Sequence, residues 1–133
     1  MTDSRRAKIE AGCRGLIPAD EPMVEGILAF GRGVWEFRGK IKIDNPGDPR
    51  TIIGTDRHVY LLRRARWSRY RAKELLADWP LGEVPFGGYW PEVVQGMGIQ
   101  MAVIEIDHAR HAVIPESRKA LAALLARNRA AAQ

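Results

Sequence analysis

Residues 57–73 read RHVYLLRRARWSRYRAK: seven Arg and Lys side chains, no carboxylate, and aromatic rings set among the charges. Guanidinium groups present a planar fork of donors that matches a phosphate or a carboxylate. An indole beside them can stack on a guanidinium or enter a bilayer interface. The chemistry of such a stretch is recognition of an anion. In an extended chain Arg69, Arg71 and Lys73 point one way and Tyr70 and Ala72 the other, whereas a helix would scatter the charges around its axis. Four uses are open: an anionic membrane, an acidic protein, a nucleic acid, or a solvated strand edge that resists sheet-to-sheet pairing. Nucleic acid is disfavoured, because the chain carries no helix-turn-helix pattern, zinc spacing or glycine-aromatic signature of an RNA-binding sheet.

The other reactive residues form no complete set. Asp107, His108 and His111 lack a further ligand nearby in sequence, so a structural or exposed role is expected for them rather than a metal. Cys13 adjoins Arg14, which would lower its pKa, but no base or nucleophile motif accompanies it. As the one cysteine it can form no internal disulfide. Gly31 and Gly33 in FGRGVW precede no helix start and make no phosphate loop. Trp79, Phe86, Tyr89 and Trp90 read as core and lid packing. No cofactor, metal or catalytic residue is expected.

A chain of 133 residues fits one domain that can bury its own core. Its net charge is +5, of which residues 57–73 contribute +7 and everything else −2. One segment makes the protein basic, and such a local field speeds encounters with anionic partners. No apolar run approaches the ~20 residues of a membrane helix. MTDSRRAKIEAG has basic residues with no apolar stretch behind them, unlike a secretory signal. A cytoplasmic protein is expected, with peripheral contact at the inner membrane face as an option.

The elements that must position these residues follow from periodicity. Thr2–Ala11 predicts a short helix, frayed or loosely docked because Ile9 is almost its only apolar anchor. PADEP is a turn. MVEGILAF predicts a strand. In GVWEFRGKIKI, Trp35, Phe37, Gly39, Ile41 and Ile43 share one parity and Glu36, Arg38, Lys40 and Lys42 the other, which predicts a half-buried strand or a strand pair broken near Gly39. DNPGDP, residues 44–49, is a turn. TIIGT and HVYLL predict a tight hairpin at Asp56 and Arg57, or one strand kinked at Gly54. LGEVPF reads as a short strand between Pro80 and Pro85, and GGYWP as a loop. IQMAVIEID, residues 99–107, predicts a strand joined through DHAR to a last strand at His111–Ile114. From Pro115 to about residue 129 a helix is expected, with Leu121, Leu124 and Leu125 on its buried stripe and Ala122, Ala123 and Ala126 allowing close packing. The fold class is α+β: a bent antiparallel sheet or partly open barrel of about seven strands capped by a C-terminal helix.

RTIIGTDRHVYLLRR, with Thr55, Asp56 and Arg57 as its sharpest part, resembles a recurring stretch of bacterial pleckstrin-homology-like domains, and WPLGEVPFGG is similar to a later strand of the same family. The resemblance covers residues 21–130; residues 1–20 then form an N-terminal segment, a short helix or flexible. It implies a bent, nearly closed barrel covered at one end by the C-terminal helix. Members of the family bind phosphoinositides or dock proteins and peptides. The phosphoinositide binders use basic residues on their first two strands, which implies the row Arg38, Lys40 and Lys42 here, but Asp44 and Asp48 follow and would repel phosphate. The expectation is a non-enzymatic interaction module whose Arg63, Arg64, Arg66, Trp67, Arg69, Tyr70, Arg71 and Lys73 dock an acidic protein or an anionic membrane surface. The alternative is a nucleic-acid-binding protein using the same segment.

Overall fold

The structure, a computed structural model, describes residues 3–44 and 47–133. Thr2 and the Asn45–Pro46 centre of the expected turn lie outside the described residues. The elements are α1 (Asp3–Gly12), β1 (Met23–Gly31), β2 (Val34–Phe37), β3 (Lys40–Ile43), β4 (Asp48–Thr55), β5 (His58–Arg64), β6 (Ala72–Pro80), β7 (Phe86–Gln95), β8 (Ile99–Ile106), β9 (Ala109–Val113) and α2 (Arg118–Ala131). A 3-10 turn, Pro115–Ser117, leads into α2. Seven strands form one antiparallel sheet in the order β6-β5-β4-β1-β9-β8-β7, and β2 and β3 pair separately. The sheet does not close, since β6 and β7 both remain edges. The fold is thus α+β, as its strand-rich order with one terminal helix implies.

Strands β1, β4 and β5 are buried on both faces, and the alternation of side chains sorts them. Ile27, Ile52, Val59 and Ile104 point to the side that α2 covers, where Leu121 and Leu124 fill the core. Their chain neighbours Leu28 and Ile53 point outward and meet Tyr60, Leu62, and Ile9 and Cys13 of the α1 region. Leu121 and Leu124 are fully buried as expected; Leu125 is half-buried, and Ala122, Ala123 and Ala126 face solvent. Arg127 clamps α2 down by donating to both oxygens of the buried Glu25 carboxylate, at 2.7 and 2.5 Å, and to the Thr55 carbonyl at 2.8 Å.

Helix α1 is docked more firmly than its single apolar anchor suggests. Ile9 is fully buried, Arg6 donates to the carbonyls of Val24 (2.6 Å) and Met23 (2.9 Å), and Glu10 accepts from the Met23 amide (3.2 Å). The β2–β3 segment is the strand pair broken near Gly39. Arg38 and Gly39 form a two-residue turn with φ of 53° and 78°, and Trp35 pairs with Lys42 and Phe37 with Lys40. Cross-strand partners stand on the same face, so this turn reverses the parity read along the sequence. Trp35 and Phe37 share a face with Lys40 and Lys42, not with Ile41 and Ile43. The other face turns toward the large sheet, where Glu36 pairs with Arg110 at 3.0 Å.

The tight hairpin at Asp56–Arg57 is present, with Gly54 inside β4. Two readings are corrected. LGEVPF is not a strand: residues 81–85 are turn and irregular chain, the strand before them is β6, and GGYWP lies within β7. Both are edge strands, where a proline such as Pro91 is tolerated because an outward N–H has no partner to serve, and where one exposed side weakens the apolar alternation. The final hairpin forms as expected, with its turn contracted to Asp107 and His108 at positive φ.

Candidate functional site

Arg63 and Arg64 end β5, Lys73 lies in β6, and Arg66, Trp67, Arg69, Tyr70 and Arg71 occupy the connection 65–71. Residues 65–71, whose charges an extended chain would sort to one side, instead form a closed loop. The Ala65 amide donates to the Arg71 carbonyl at 2.8 Å and the Ser68 amide to the Ala65 carbonyl at 3.3 Å. The Ser68 hydroxyl accepts from the Tyr70 and Arg71 amides.

Arg64 is the largest correction to the segment's expected role. It is 6% exposed and takes the chemistry of a scaffold. Its Nε donates to the Arg50 carbonyl (3.1 Å), Nη1 to Arg69 (2.8 Å) and Nη2 to Ala29 (2.9 Å), and the group lies 5.3 Å over the Phe30 ring. One guanidinium therefore fastens the loop to β1 and β4 at once. Burial and then the Arg69 charge push its pKa down to about 10, so it remains a cation at neutral pH. Alternation explains the inversion: Tyr60, Leu62 and Arg64 share the outward face that the α1 region covers.

Two more of the expected residues are engaged. Arg63 pairs with Glu74 of β6 at 2.6 Å. Tyr70 is half-buried against the outer cluster, with Lys8 of α1 5.8 Å from its ring. Here α1 must end in glycine, since a Cβ at Gly12 would collide with the Tyr70 carbonyl. The residues left to solvent are Arg66, Trp67, Arg69, Arg71 and Lys73. Trp67 is 98% exposed. Among the described residues no carboxylate stands within ion-pair distance of Arg66, Arg69, Arg71 or Lys73.

Arg32, Arg64, Arg66 and Arg69 line a cleft of about 690 Å³ together with Phe30 and Trp67. Asp48 is the only acid among its described lining residues, and Arg32 (3.3 Å) and Arg50 (3.6 Å) hold it. The β2–β3 hairpin carries a second patch that parity alone concealed. Trp35 (41% exposed) and Phe37 (51%) meet edge to face at 6.2 Å, beside Lys40 and Lys42 and with Arg38 5.1 Å from the Phe37 ring. Recognising Arg38-Gly39 as a two-residue turn would have revealed it.

Sequence reasoning also passed over Glu21. It is buried, and it accepts from the Tyr60 hydroxyl (2.7 Å), the Thr55 hydroxyl (2.9 Å) and His58 Nδ1 (2.8 Å). Burial pushes its pKa up, but the bonds from His58, Tyr60 and Thr55 outweigh that and bring it down to about 2. This carboxylate latches the segment before β1 onto the β4–β5 hairpin.

Asp107 and His108 form the last turn, while His111 is fully buried in β9. His111 Nδ1 donates to the Ala109 carbonyl at 3.0 Å and Nε2 faces Arg50 Nη1 at 3.4 Å; burial, then the Arg50 charge, depress its pKa to about 4, so the ring is neutral. Among the described residues no group of three or more His, Cys, Asp or Glu is arranged to hold a metal ion. Cys13 is buried, which pushes its thiol up to about 11; the cation near it is Arg64 rather than Arg14, and it only partly offsets burial. Trp79 and Phe86 pack on the inner core, Trp90 lies under Arg110 and Tyr89 is exposed. Among the described residues no helix is long and apolar enough to cross a membrane.

No protein-family model matches this chain, and no curated protein matches it.

Proposed function

We propose that the protein is a non-enzymatic interaction module, of the pleckstrin-homology-like kind its sequence resembles, that docks on an anionic membrane surface through residues 65–73. One observation carries this reading: Trp67 stands 98% exposed on a loop held closed by Arg64 and Ser68, with unpaired cations on both sides. An indole in open water is unfavourably placed. At a bilayer it sits at headgroup level, while Arg and Lys beside it meet lipid phosphates. Each such cation adds about 1 kcal/mol near an anionic leaflet, so Arg66, Arg69, Arg71 and Lys73 reach roughly 4 kcal/mol before Trp67 contributes.

The test is co-sedimentation with vesicles containing phosphatidylglycerol, against phosphatidylcholine alone. The expected result is binding to the acidic vesicles only, weakening as salt rises. It should be lost in Trp67→Ala and in a combined Arg66→Gln, Arg69→Gln, Arg71→Gln variant whose melting temperature is unchanged. Absence of binding to acidic vesicles at low salt, or wild-type binding by both variants, overturns the reading. Retention by a nucleic acid or an acidic protein, without vesicle binding, would assign the loop to that partner instead.

A further inference from the structure

The arginine-lined cleft does not end at the loop. Phe30, Arg32, Gly47 and Arg69 also line a second chamber of about 320 Å³, which includes Ile43 at the end of the β2–β3 hairpin. Its walls are Ile43 of the hairpin, Ile99 and Met101 of β8, Ala112 of β9, and Ile114. Met101 and Ala112 are buried at its floor, and Ile99 is 48% exposed at its rim. Glu116 also lines it, with its carboxylate paired with Arg5 at 3.6 Å.

The two chambers therefore differ in chemistry and adjoin at the residues they share. One offers four guanidinium groups against the single carboxylate of Asp48. The other offers an aliphatic surface. A ligand that satisfies both has an anionic head and an apolar body, and the four guanidinium groups fix its direction by holding the head on their side. The apolar chamber lies at the low end of small-molecule pocket volumes, which leaves room for one chain rather than two. Exposed aliphatic side chains such as Ile99 gain by being covered.

We infer that this composite groove binds a single-chain anionic amphiphile of the fatty-acid type, with its carboxylate between Arg32, Arg66 and Arg69 and its chain along Ile43, Ile99 and Met101. The site shares arginines with the proposed docking loop but does not require a membrane, so the two readings can fail separately. Arg64 is already committed to three carbonyls and would add charge to the arginine cleft without changing partners.

Titration calorimetry of the full chain with dodecanoate, below its micelle concentration, tests the proposal. Saturable binding of one ligand per chain is expected. Dodecyltrimethylammonium, which keeps the chain and reverses the charge, should bind at least about tenfold more weakly, as should Arg69→Glu and the rim variants Ile99→Asp and Ile43→Asp. Inorganic phosphate, a head without a chain, should give no saturable heat at the same concentrations. Because Ile99 is half exposed, Ile99→Asp should keep the wild-type melting temperature and also the wild-type sedimentation with acidic vesicles. No saturable binding of dodecanoate, equal affinity for the cationic amphiphile, or wild-type affinity in both rim variants overturns the groove assignment and leaves the loop reading standing.

Discussion

At the scale of single residues, position on a strand decides what a charge does. Arg64 and Arg69 are of one type and five residues apart, yet Arg64 is buried under three carbonyl bonds and Arg69 is exposed. Arg64→Gln is expected to cost on the order of 3 kcal/mol, because it removes charge-assisted bonds and leaves buried carbonyls short of a donor. Arg69→Gln should change stability by less than about 0.5 kcal/mol. Urea unfolding of the two variants side by side measures the contrast, and equal losses would remove Arg64 from its scaffold role. Two buried groups also set how stability responds to acid. His111 has a folded pKa depressed to about 4, so stability falls as pH drops from about 6.5 toward 4, where the unfolded chain binds a proton that the fold refuses. Glu21, depressed from 4.5 to about 2, contributes stability that is present above its unfolded pKa and is lost over the lower window as pH falls toward 2. Glu21→Gln should flatten the lower window of a stability–pH curve and leave the His111 window as it is. A curve of unchanged shape would show that the Glu21 network does not titrate as described.

At the scale of elements, α2 is held by two different devices. Leu121 and Leu124 are fully buried, so Leu124→Ala should cost on the order of 2–4 kcal/mol, with Leu125→Ala costing less because Leu125 is only half-buried. The second device is the clamp on Glu25. Arg127→Met leaves that carboxylate buried and unpaired, and a loss of about 3 kcal/mol is expected, measured by thermal unfolding. Adding Glu25→Gln should restore part of that loss; if it restores none, the clamp is incidental to stability. The apolar stripe of α2 was legible in the sequence because a helix keeps its own register. The β2–β3 hairpin was half legible. Alternation identified a strand pair, but which residues shared a face depended on the number of residues in the turn, which alternation does not report.

At the scale of the whole molecule, the open sheet ranks its strands. β1 and β4 each have a strand on both sides, whereas β6 and β7 are edges. Amides of β1 and β4 should therefore exchange only on global unfolding, and the outward amides of β6 and β7 several orders of magnitude faster. Uniform protection across all seven strands would mean that the edges are covered in solution, by closure of the sheet or by a second copy.

What the sequence by itself determined were properties carried by near neighbours: the strand-rich order with one final helix, the tight hairpin at Asp56–Arg57, the buried Leu121 and Leu124, and the concentration of charge in residues 57–73. Periodicity and turn chemistry act within a few residues, so they can be read along the chain. Tertiary structure alone decided which cations are available. Seven positive charges look equivalent in sequence, but Arg63 meets Glu74, Arg64 meets carbonyls from β1, β4 and its own loop, and Arg57 meets Asp20. Those partners lie on other strands and loops, and only the folding of the sheet brings them within hydrogen-bond reach. The joining of the arginine cleft to an aliphatic chamber is of the same kind: Arg69, Ile43 and Ile99 are distant in sequence and meet because the hairpin base, β8 and the loop converge on one groove.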